Sequence, residues 1–438
     1  MLQREIFKGA AIVMSKLVNL LTEGADSLHP ISVSEYEKIG GFTALKKAVT
    51  MSGTDIIGEV KKAELLGRGG AAFPAGKKWE YMERIIRNSI PTIPRYIVCN
   101  ADEGEPGTFK DRLIMEKLPL KLIEGIIIAG FTFNANAGYI YVRGEYRKIQ
   151  KQLLAALENV RKAGFLGKDI LGSGFDFDIH IVSGAGAYVC GENSALLNST
   201  EGKVGRPRIK PPRLAEVGLF LQPTLVNNVE TFTNIPLIIN IGGDAYLQAG
   251  HPASGGSKLI CISGHCCNRG VFEIPLGKVS LREIIYDPEL GGGIADDRQL
   301  KFFHLGGQSG PIGCVDQLDT IYSHTDLWNV DLAVGSGAIV VMDERVSILE
   351  YIKNVTEFFI HESCGKCVPC REGNHQILKI LQKLSVSGAA TTSDLTLLRR
   401  LADTMTGASF CGLGQSAAVA LNSAWKNFKA EFEAGIKA

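Results

Sequence analysis

The chain has 438 residues, 45% of them hydrophobic and 21% charged, a balance that predicts a globular protein of about two to four domains. Its net charge of +1 gives no electrostatic sign of a nucleic-acid or membrane partner, and its longest apolar run, near Ile126–Phe133, is far shorter than the roughly 20 residues that span a bilayer. No export signal is recognisable, so we expect a cytoplasmic protein whose 10 cysteines serve metal or cofactor chemistry rather than disulfides.

The predicted elements begin with two zones of different character. Residues 1–50 read as a mostly helical, polar lead-in. Between residues 51 and 247, short apolar runs such as Tyr96–Cys99 and Ile179–Val182 alternate with helical stretches and glycine loops. That alternation predicts an α/β domain.

Residues 248–338 have the pattern of a smaller domain. Lys258–Ser263, Val271–Ile274 and Phe302–Leu305 read as strands, and Ser280–Tyr286 reads as a short helix. We predict a small mixed β/α domain here.

Residues 339–438 are predicted to be helical, with apolar residues at helical spacing in four segments. The second segment follows Cys370, and the fourth begins after a Ser416 cap. Four such helices are enough for a bundle. Their apolar faces are Ile348, Ile352, Val355 and Phe359; Ile377, Ile380, Leu381 and Leu384; Leu398, Leu401 and Met405; and Leu421, Trp425, Phe428 and Phe432.

Three cysteines at C-x2-C-x2-C spacing form the strongest motif of the chain. Cys364, Cys367 and Cys370 lie on one short segment, which suits three corners of a cubane iron–sulfur cluster, and Cys411 is the best candidate for the fourth ligand. The alternatives are zinc, which usually takes paired C-x2-C knuckles, and a structural accident. The remaining cysteines show no ligand spacing and are predicted to be buried thiols.

A glycine-rich segment begins at Gly67 and continues through Gly69 and Gly70. It follows a predicted helix rather than a strand, so the dinucleotide fingerprint does not apply. Its backbone N–H groups suit an anion, with Lys78 opening the next helix, and Phe73 and Trp79 offer flat apolar surface to an aromatic ring. A plain surface turn is the alternative.

Polar side chains follow the strand Tyr96–Cys99, where ligands bind in α/β sheets. Asn100, Asp102 and Glu103 offer hydrogen bonds to a ring edge or a polyol. A metal site, general acid or base chemistry, and a solvated turn are the alternatives.

A third loop, Gly184–Ser194, lies between a predicted strand and a helix. The basic segment Arg206–Lys210 and the amides Asn227 and Asn228 follow it along the chain. Each of these signals is weak alone, because a solvated charge run explains them nearly as well as a pyrophosphate site.

Together these motifs make the chain resemble the flavin-bearing, NADH-oxidising subunit of respiratory complex I and its relatives in NAD-linked hydrogenases and formate dehydrogenases. The resemblance runs from about Glu37 to the C-terminus. It implies a Rossmann-like flavin domain (51–247), a β-grasp domain (248–338) and a C-terminal four-helix bundle (339–438).

The resemblance also implies the site residues and the cofactors FMN, NAD(H) and a [4Fe–4S] cluster. Glu105 is given an orienting role in catalysis, because hydride transfer to a flavin requires no protein base. The implied cofactor-binding residues are Gly67, Arg68, Gly69, Gly70, Phe73, Lys78, Tyr81, Asn100, Asp102, Glu103, Glu105, Tyr188, Gly191, Glu192, Asn193, Lys210, Asn227, Asn228 and Thr231, and the cluster ligands are Cys364, Cys367, Cys370 and Cys411.

Two positions depart from the family pattern. Asn193 stands where the family usually has a second Glu, and Arg213 stands where it usually has an aromatic residue. Both are expected near the adenosine end of the dinucleotide. The departures predict a weaker discrimination between NADH and NADPH, with NADH still favoured.

The implied function is electron transfer from NADH through FMN to the cluster, with partner subunits that include a thioredoxin-like [2Fe–2S] protein and a larger iron–sulfur protein. The complex is expected to place the chain in the cytoplasm or on the cytoplasmic face of a membrane. The alternatives are electron flow towards NAD, use of NADP, the same module in a hydrogenase or formate dehydrogenase complex, and a docking scaffold that binds no nucleotide.

Overall fold

The computed structural model of the protein describes residues 17–436. Within the predicted lead-in, the described helices are α1 (Val33–Lys38), capped by the Ser32 side chain, and α2 (Thr43–Ala48). The stretch 17–32 that precedes them contains no helix. The predicted lead-in is therefore less helical than expected, and its first 16 residues lie outside the described part.

A parallel sheet of four strands forms the first layer, in the order β3-β2-β1-β4. The strands are β1 (Tyr96–Ala101), β2 (Ala137–Val142), β3 (Ile179–Ser183) and β4 (Thr224–Asn228). From β1 the chain builds the sheet on one side through β2 and β3, and it returns to pair β4 on the other side. The order therefore reverses between β1 and β4, which opens a crevice at their carboxyl ends.

The helices around this sheet share one large core. α6 is buried along most of its length and packs against α9, where Gly125 lies so close to the backbone of Phe232 that no larger residue fits. The helices are α3 (Gly53–Lys62), α4 (Ala75–Arg87), α5 (Lys110–Lys117), α6 (Pro119–Phe133), α7 (Arg147–Lys162), α8 (Asn193–Thr200), α9 (Val229–Ile241) and α10 (Gly243–Gln248).

A mixed sheet of five strands follows, in the order β6-β5-β9-β7-β8. Its strands are β5 (Ser257–Gly264), β6 (Gly270–Pro275), β7 (Leu300–Leu305), β8 (Ile312–Cys314) and β9 (Ala338–Asp343), with helices α11 (Leu281–Tyr286) and α12 (His324–Trp328). The sequence located β5, β6, β7 and α11 but not β8 or β9. The predicted boundary at 338 falls on the first residue of β9, so this sheet continues to Asp343.

The rest of the described chain is helical. The helices are α13 (Ile348–Glu362), α14 (Val368–Leu384), α15 (Thr392–Ala408), α16 (Gly412–Ser416), α17 (Val419–Asn427) and α18 (Lys429–Glu433). The predicted Ser416 cap is wrong, because Ser416 ends α16 and its hydroxyl donates to Gly412 O. The apolar stripe expected on one helix is divided between α17, with Leu421 and Trp425, and α18, with Phe432.

A buried ionic network joins the two sheets. Glu230 on α9 accepts from Lys258 on β5 at 2.6 Å and pairs with Lys110 on α5 at 2.8 Å, and all three side chains are almost completely buried. Burial alone would raise the pKa of Glu230, but Lys110 and Lys258 lower it to about 2. The carboxylate is therefore ionised at every physiological pH and holds β5 against the first domain.

The α/β class predicted from the sequence is confirmed, with one parallel and one mixed sheet. Among residues 17–436, no helix is both long enough and apolar enough to cross a membrane.

Candidate active site and cysteine cluster

The crevice between β1 and β4 collects most of the predicted cofactor residues. Asn100 and Asn228 are register partners at the carboxyl ends of these strands. The Asn100 side-chain amide donates to Gly191 O at 2.8 Å and to Asn193 Oδ1 at 3.1 Å. The loop after β3 therefore meets the end of β1, as a ligand site at this edge of the sheet requires.

The glycine loop between α3 and α4 lies against the start of α9. The Arg68 N–H donates to Thr231 Oγ1 at 2.9 Å, and a Cβ at Gly69 would lie 3.0 Å from Asn228 Cβ. Gly70 has a φ of +128°, which favours glycine. The guanidinium of Arg68 points away from the crevice and donates to Gly255 O at 2.7 Å, so Arg68 offers the crevice only its backbone.

Lys78 on α4 is the cation next to this loop. Its Nζ donates to Val226 O at 2.9 Å and to Asn227 Oδ1 at 3.1 Å. Enclosure of the ammonium group, with a smaller effect of the nearby Lys210, lowers the pKa of Lys78 to about 8. The arrangement suits an anionic ligand, which would stabilise the charged form.

Two buried polar atoms of the crevice have no hydrogen-bond partner among the described residues. They are Asp102 Oδ2 and Asn227 Nδ2. Gly191 keeps the space beside the first of them open, since even a Cβ there would lie 3.9 Å from Asp102 Oδ2. Burial raises the pKa of Asp102 to about 7. Unpaired buried atoms of this kind fit a polar ligand that supplies the missing partners.

Glu105 lies where the second domain closes on the crevice. Its carboxylate accepts from the Tyr188 hydroxyl and from Ser309 Oγ at 3.0 Å. Burial raises the pKa of Glu105, although these hydrogen bonds act in the opposite direction. Ser309 was not predicted from the sequence, but the glycine-rich stretch Gly306–Gly310 directly after β7 was a signal for it.

Glu103 departs from its predicted role. Its carboxylate accepts from the N–H groups of Asp111 at 2.7 Å and Arg112 at 2.9 Å, and from the Tyr146 hydroxyl at 3.2 Å. It therefore caps the start of α5 and is not free to bind a ring edge. Trp79 is also unavailable to a ligand, because it is fully buried against Phe133.

The outer part of the predicted set lies along α4 and the loop before β4. Glu192 caps α8 and accepts from Lys210 Nζ at 2.7 Å. Tyr81 and Phe73 lie outside the contacts described above, and Phe73 is 51% exposed. The Tyr81 ring instead contacts the guanidinium of Arg213, whose carbon lies 4.8 Å from the ring centroid.

The four predicted ligand cysteines converge where α13, α14 and α16 meet. Cys364 follows α13, Cys367 and Cys411 are the N-cap residues of α14 and α16, and Cys370 lies in the first turn of α14. Burial raises the pKa of the Cys370 thiol, and the nearness of Cys367, Cys411 and Cys364 raises it further. Four thiols this close favour a cationic centre between them.

The surroundings of these cysteines fit a cluster. Gly414 brings α16 against α14, since a Cβ there would lie 2.9 Å from Cys370 Cβ. Hydrogen-bond donors approach the sulfurs: the Phe410 N–H lies 3.5 Å from Cys367 Sγ, and the Ser363 hydroxyl lies 3.3 Å from Cys370 Sγ. Within residues 17–436, no three or more Cys, His, Asp or Glu side chains are arranged around a single metal ion.

Comparison with known families agrees with both sites. The family described as "Nuo51 FMN-binding domain" matches residues 60–237, which include the glycine loop and the crevice. The family described as "NADH-ubiquinone oxidoreductase-F iron-sulfur binding region" matches residues 350–435, which include all four cysteines.

Relatives are similar over nearly the whole chain. The second F subunit of the NADH-quinone oxidoreductase of Rhizobium meliloti is 42% identical over 92% of this chain and 94% of its own length. The HndC subunit of the NADP-reducing hydrogenase of Solidesulfovibrio fructosivorans is 39% identical over 98% of this chain and 85% of its own.

A solved structure has the same fold. A chain of the NAD+-reducing [NiFe]-hydrogenase in the H2-reduced state superposes with a TM-score of 0.80 at 33% identity, covering 95% of this chain and 67% of that one. The F subunit of the NADH-quinone oxidoreductase of Aquifex aeolicus is 42% identical over 95% of this chain and 94% of its own length. The chain therefore belongs to the family of NADH-quinone oxidoreductase F subunits.

Proposed function

We propose that this chain is the electron-input subunit of a multisubunit oxidoreductase, in which NAD(H) exchanges hydride with FMN and single electrons pass to a [4Fe–4S] cluster. The observation that carries the proposal is the presence, in one chain, of a polar crevice at the switch point of a parallel sheet and a four-cysteine centre. The family membership supports the same pairing of sites.

Bound FMN would supply the two-electron to one-electron conversion, and the protein would supply binding and orientation. The N–H groups of the Gly67–Gly70 loop and the ammonium of Lys78 suit the phosphate of the flavin. Asn100, Asp102 and Asn227 suit its polar edge, because their side chains meet at the carboxyl ends of β1 and β4.

Glu105 is the residue that we propose orients the nicotinamide. Tyr188 and Ser309 hold its carboxylate from two sides, which fixes the direction of its acceptor oxygens. No protein nucleophile or base is needed, so Glu105 acts through position rather than proton transfer.

The four cysteine thiolates would hold the cluster, with Lys366 and Arg371 close to the same loop. Lys366 donates to Pro207 O at 2.6 Å and Arg371 to Gly365 O at 2.6 Å, so both cations are fixed next to the cysteines. Their charge offsets the negative charge of four thiolates around iron.

The proposal extends to domain organisation. A Rossmann-like flavin domain would carry the first sheet, a β-grasp domain the second, and a helical bundle the cluster. A cytoplasmic location, peripheral to a membrane through the complex, goes with this organisation.

The complex itself is the finer part of the proposal. Respiratory complex I is favoured by several relatives named as F subunits of NADH-quinone oxidoreductase, while a hydrogenase complex is favoured by the HndC relative and the hydrogenase structure. In both cases we propose a thioredoxin-like [2Fe–2S] partner and a larger iron–sulfur partner. Affinity purification from the native host, followed by mass spectrometry, identifies the complex through its copurified subunits.

A scaffold without cofactors is the competing function. An absorption spectrum of the purified chain separates the two, because a flavin band at about 450 nm is expected only for the enzyme. A colourless, iron-free protein that still copurifies with its partners would support the scaffold.

A further inference from the structure

Two arginines meet at one aromatic ring on the outer face of α4. The guanidinium carbon of Arg84 lies 4.9 Å from the Tyr81 ring centroid, and that of Arg213 lies 4.8 Å from it. Both arginines are exposed, while Tyr81 is half-buried. Arg84 is on the same helix as Tyr81, whereas Arg213 comes from the loop before β4, so two separate segments build this cluster.

The charges of this cluster are not balanced. Within the described part of the chain, neither guanidinium forms an ion pair with a carboxylate; Glu216 is the acidic group beside them. The backbone N–H of Arg213 donates to Glu216 at 2.7 Å, and this bond, with the Tyr81 hydroxyl, lowers the pKa of the Glu216 carboxyl. Two cations against one carboxylate leave a net positive site.

The geometry of stacking leaves the hydrogen-bonding edges of both arginines available. A guanidinium that contacts an aromatic ring uses its flat face, and its N–H groups remain at the rim. That rim is the part that binds a phosphate group through two parallel hydrogen bonds. The cluster therefore offers an aromatic surface and phosphate donors at one place.

The position of the cluster relates it to the crevice. Lys78 lies at the crevice and Arg84 lies six positions further along α4, about 9 Å along the helix axis at 1.5 Å per residue. Lys210, three residues before Arg213, is neutralised by Glu192, so it does not compete for the same anion. A ligand that enters the crevice and extends outwards along α4 reaches the two arginines with its far end.

We propose that Arg84 and Arg213 bind the 2′-phosphate of a phosphorylated nicotinamide dinucleotide, so that this chain accepts NADP(H) as well as NAD(H). This inference rests on the proposed function and specifies its substrate. Asn193, the neutral residue at the crevice, adds no charge that would repel the extra phosphate, and its Oδ1 accepts from Asn100.

The test uses two ligands that carry no nicotinamide and so report binding without hydride transfer. Calorimetric titration of the purified holoprotein with ADP-ribose and with 2′-phospho-ADP-ribose should give the phosphorylated ligand a Kd equal to or below that of the other. Arg84→Gln and Arg213→Gln should each weaken the phosphorylated ligand by about tenfold, the effect of one lost charge-assisted hydrogen bond, and change ADP-ribose less than about twofold.

Arg87→Gln is the matched control, because Arg87 is exposed on the same helix but already paired with Glu83 at 2.7 Å. It should leave both affinities unchanged. Inorganic phosphate should compete with the phosphorylated ligand alone. If the wild-type protein binds only ADP-ribose, or if Arg84→Gln and Arg213→Gln match the control, the inference is wrong while the proposed function stands. If neither ligand binds, both are wrong.

Discussion

The backbone N–H of Tyr188 donates to the carboxylate of Glu362 at 2.9 Å. The same tyrosine donates its hydroxyl to Glu105 in the crevice, and its ring lies 5.1 Å from that of Phe358 on α13. Since Glu362 is two residues before Cys364, one side chain connects the candidate flavin site with the cluster loop. The two sites are therefore parts of one rigid contact network.

The assignment of the fourth cluster ligand predicts the effect of Cys411→Ser. This variant should lose the paramagnetic signal of the reduced cluster and keep most of its flavin, because the crevice lies on different elements. Cys267→Ser, which alters an exposed thiol, is the control and should keep both. A normal cluster signal in Cys411→Ser would remove Cys411 from the ligand set.

Lys78 predicts a pH dependence of flavin binding. Its pKa in the flavin-free protein is about 8 instead of the ordinary 10.5, and an anionic ligand favours the protonated form. The affinity of the flavin-free protein for FMN should therefore fall by about tenfold as the pH rises from about 7 to 9.5, the consequence of losing one favourable charge.

Fluorescence quenching of FMN at each pH measures this effect. Lys78→Met should bind FMN weakly with little pH dependence, while Lys77→Met, which changes an exposed neighbour, should behave as the wild type. The linkage for the flavin-free fold has the opposite sign: because the pKa of Lys78 is depressed, its stability rises as the pH increases from 8 towards 10.5. A pH dependence that persists in Lys78→Met would assign it to another group.

Asn193 predicts the preference between the two dinucleotides. Asn193→Glu restores the negative charge that the family usually has there, and a carboxylate repels a 2′-phosphate and accepts from ribose hydroxyls. The NADH:NADPH ratio of kcat/KM should rise by about tenfold, or ~1.4 kcal/mol. Steady-state kinetics with an artificial acceptor measures it, and an unchanged ratio would show that residue 193 does not face the adenosine ribose.

The buried network predicts a large effect on stability. Glu230→Gln leaves Lys110 and Lys258 without their carboxylate and should lower the free energy of unfolding by about 3 kcal/mol or more. Glu37→Gln, which breaks an exposed pair with Lys46 of 2.9 Å, should cost less than about 1 kcal/mol. Urea denaturation compares the two, and equal midpoints would mean that the network does not hold the sheets together.

Local signals were readable from the sequence. The cysteine spacing lies within one loop and the first turn of α14, and the Ser280 cap of α11 is completed by Glu283 three positions later. In both cases every residue that creates the feature lies within a few positions of the others. The pattern alone therefore predicted them.

Contacts between distant segments were not readable in this way. Ser309 reaches Glu105 across 204 positions, and Arg213 meets Tyr81 only because the loop before β4 folds back onto α4. The carboxylate of Glu103 was assigned to a ligand, although folding places it at the start of α5. β9 was missed because a strand in the middle of a sheet has a continuous apolar run rather than alternation.

Our main conclusion is that one chain takes electrons from a nicotinamide dinucleotide into a flavin and a cluster. The decisive test is an anaerobic titration of the purified protein with NADH, followed by absorbance at about 450 nm and by electron paramagnetic resonance. We predict about one FMN and four iron atoms per chain, bleaching of the flavin band, and a cluster signal that Cys411→Ser abolishes. A protein without flavin, or a flavin band that NADH leaves unchanged, would contradict this conclusion.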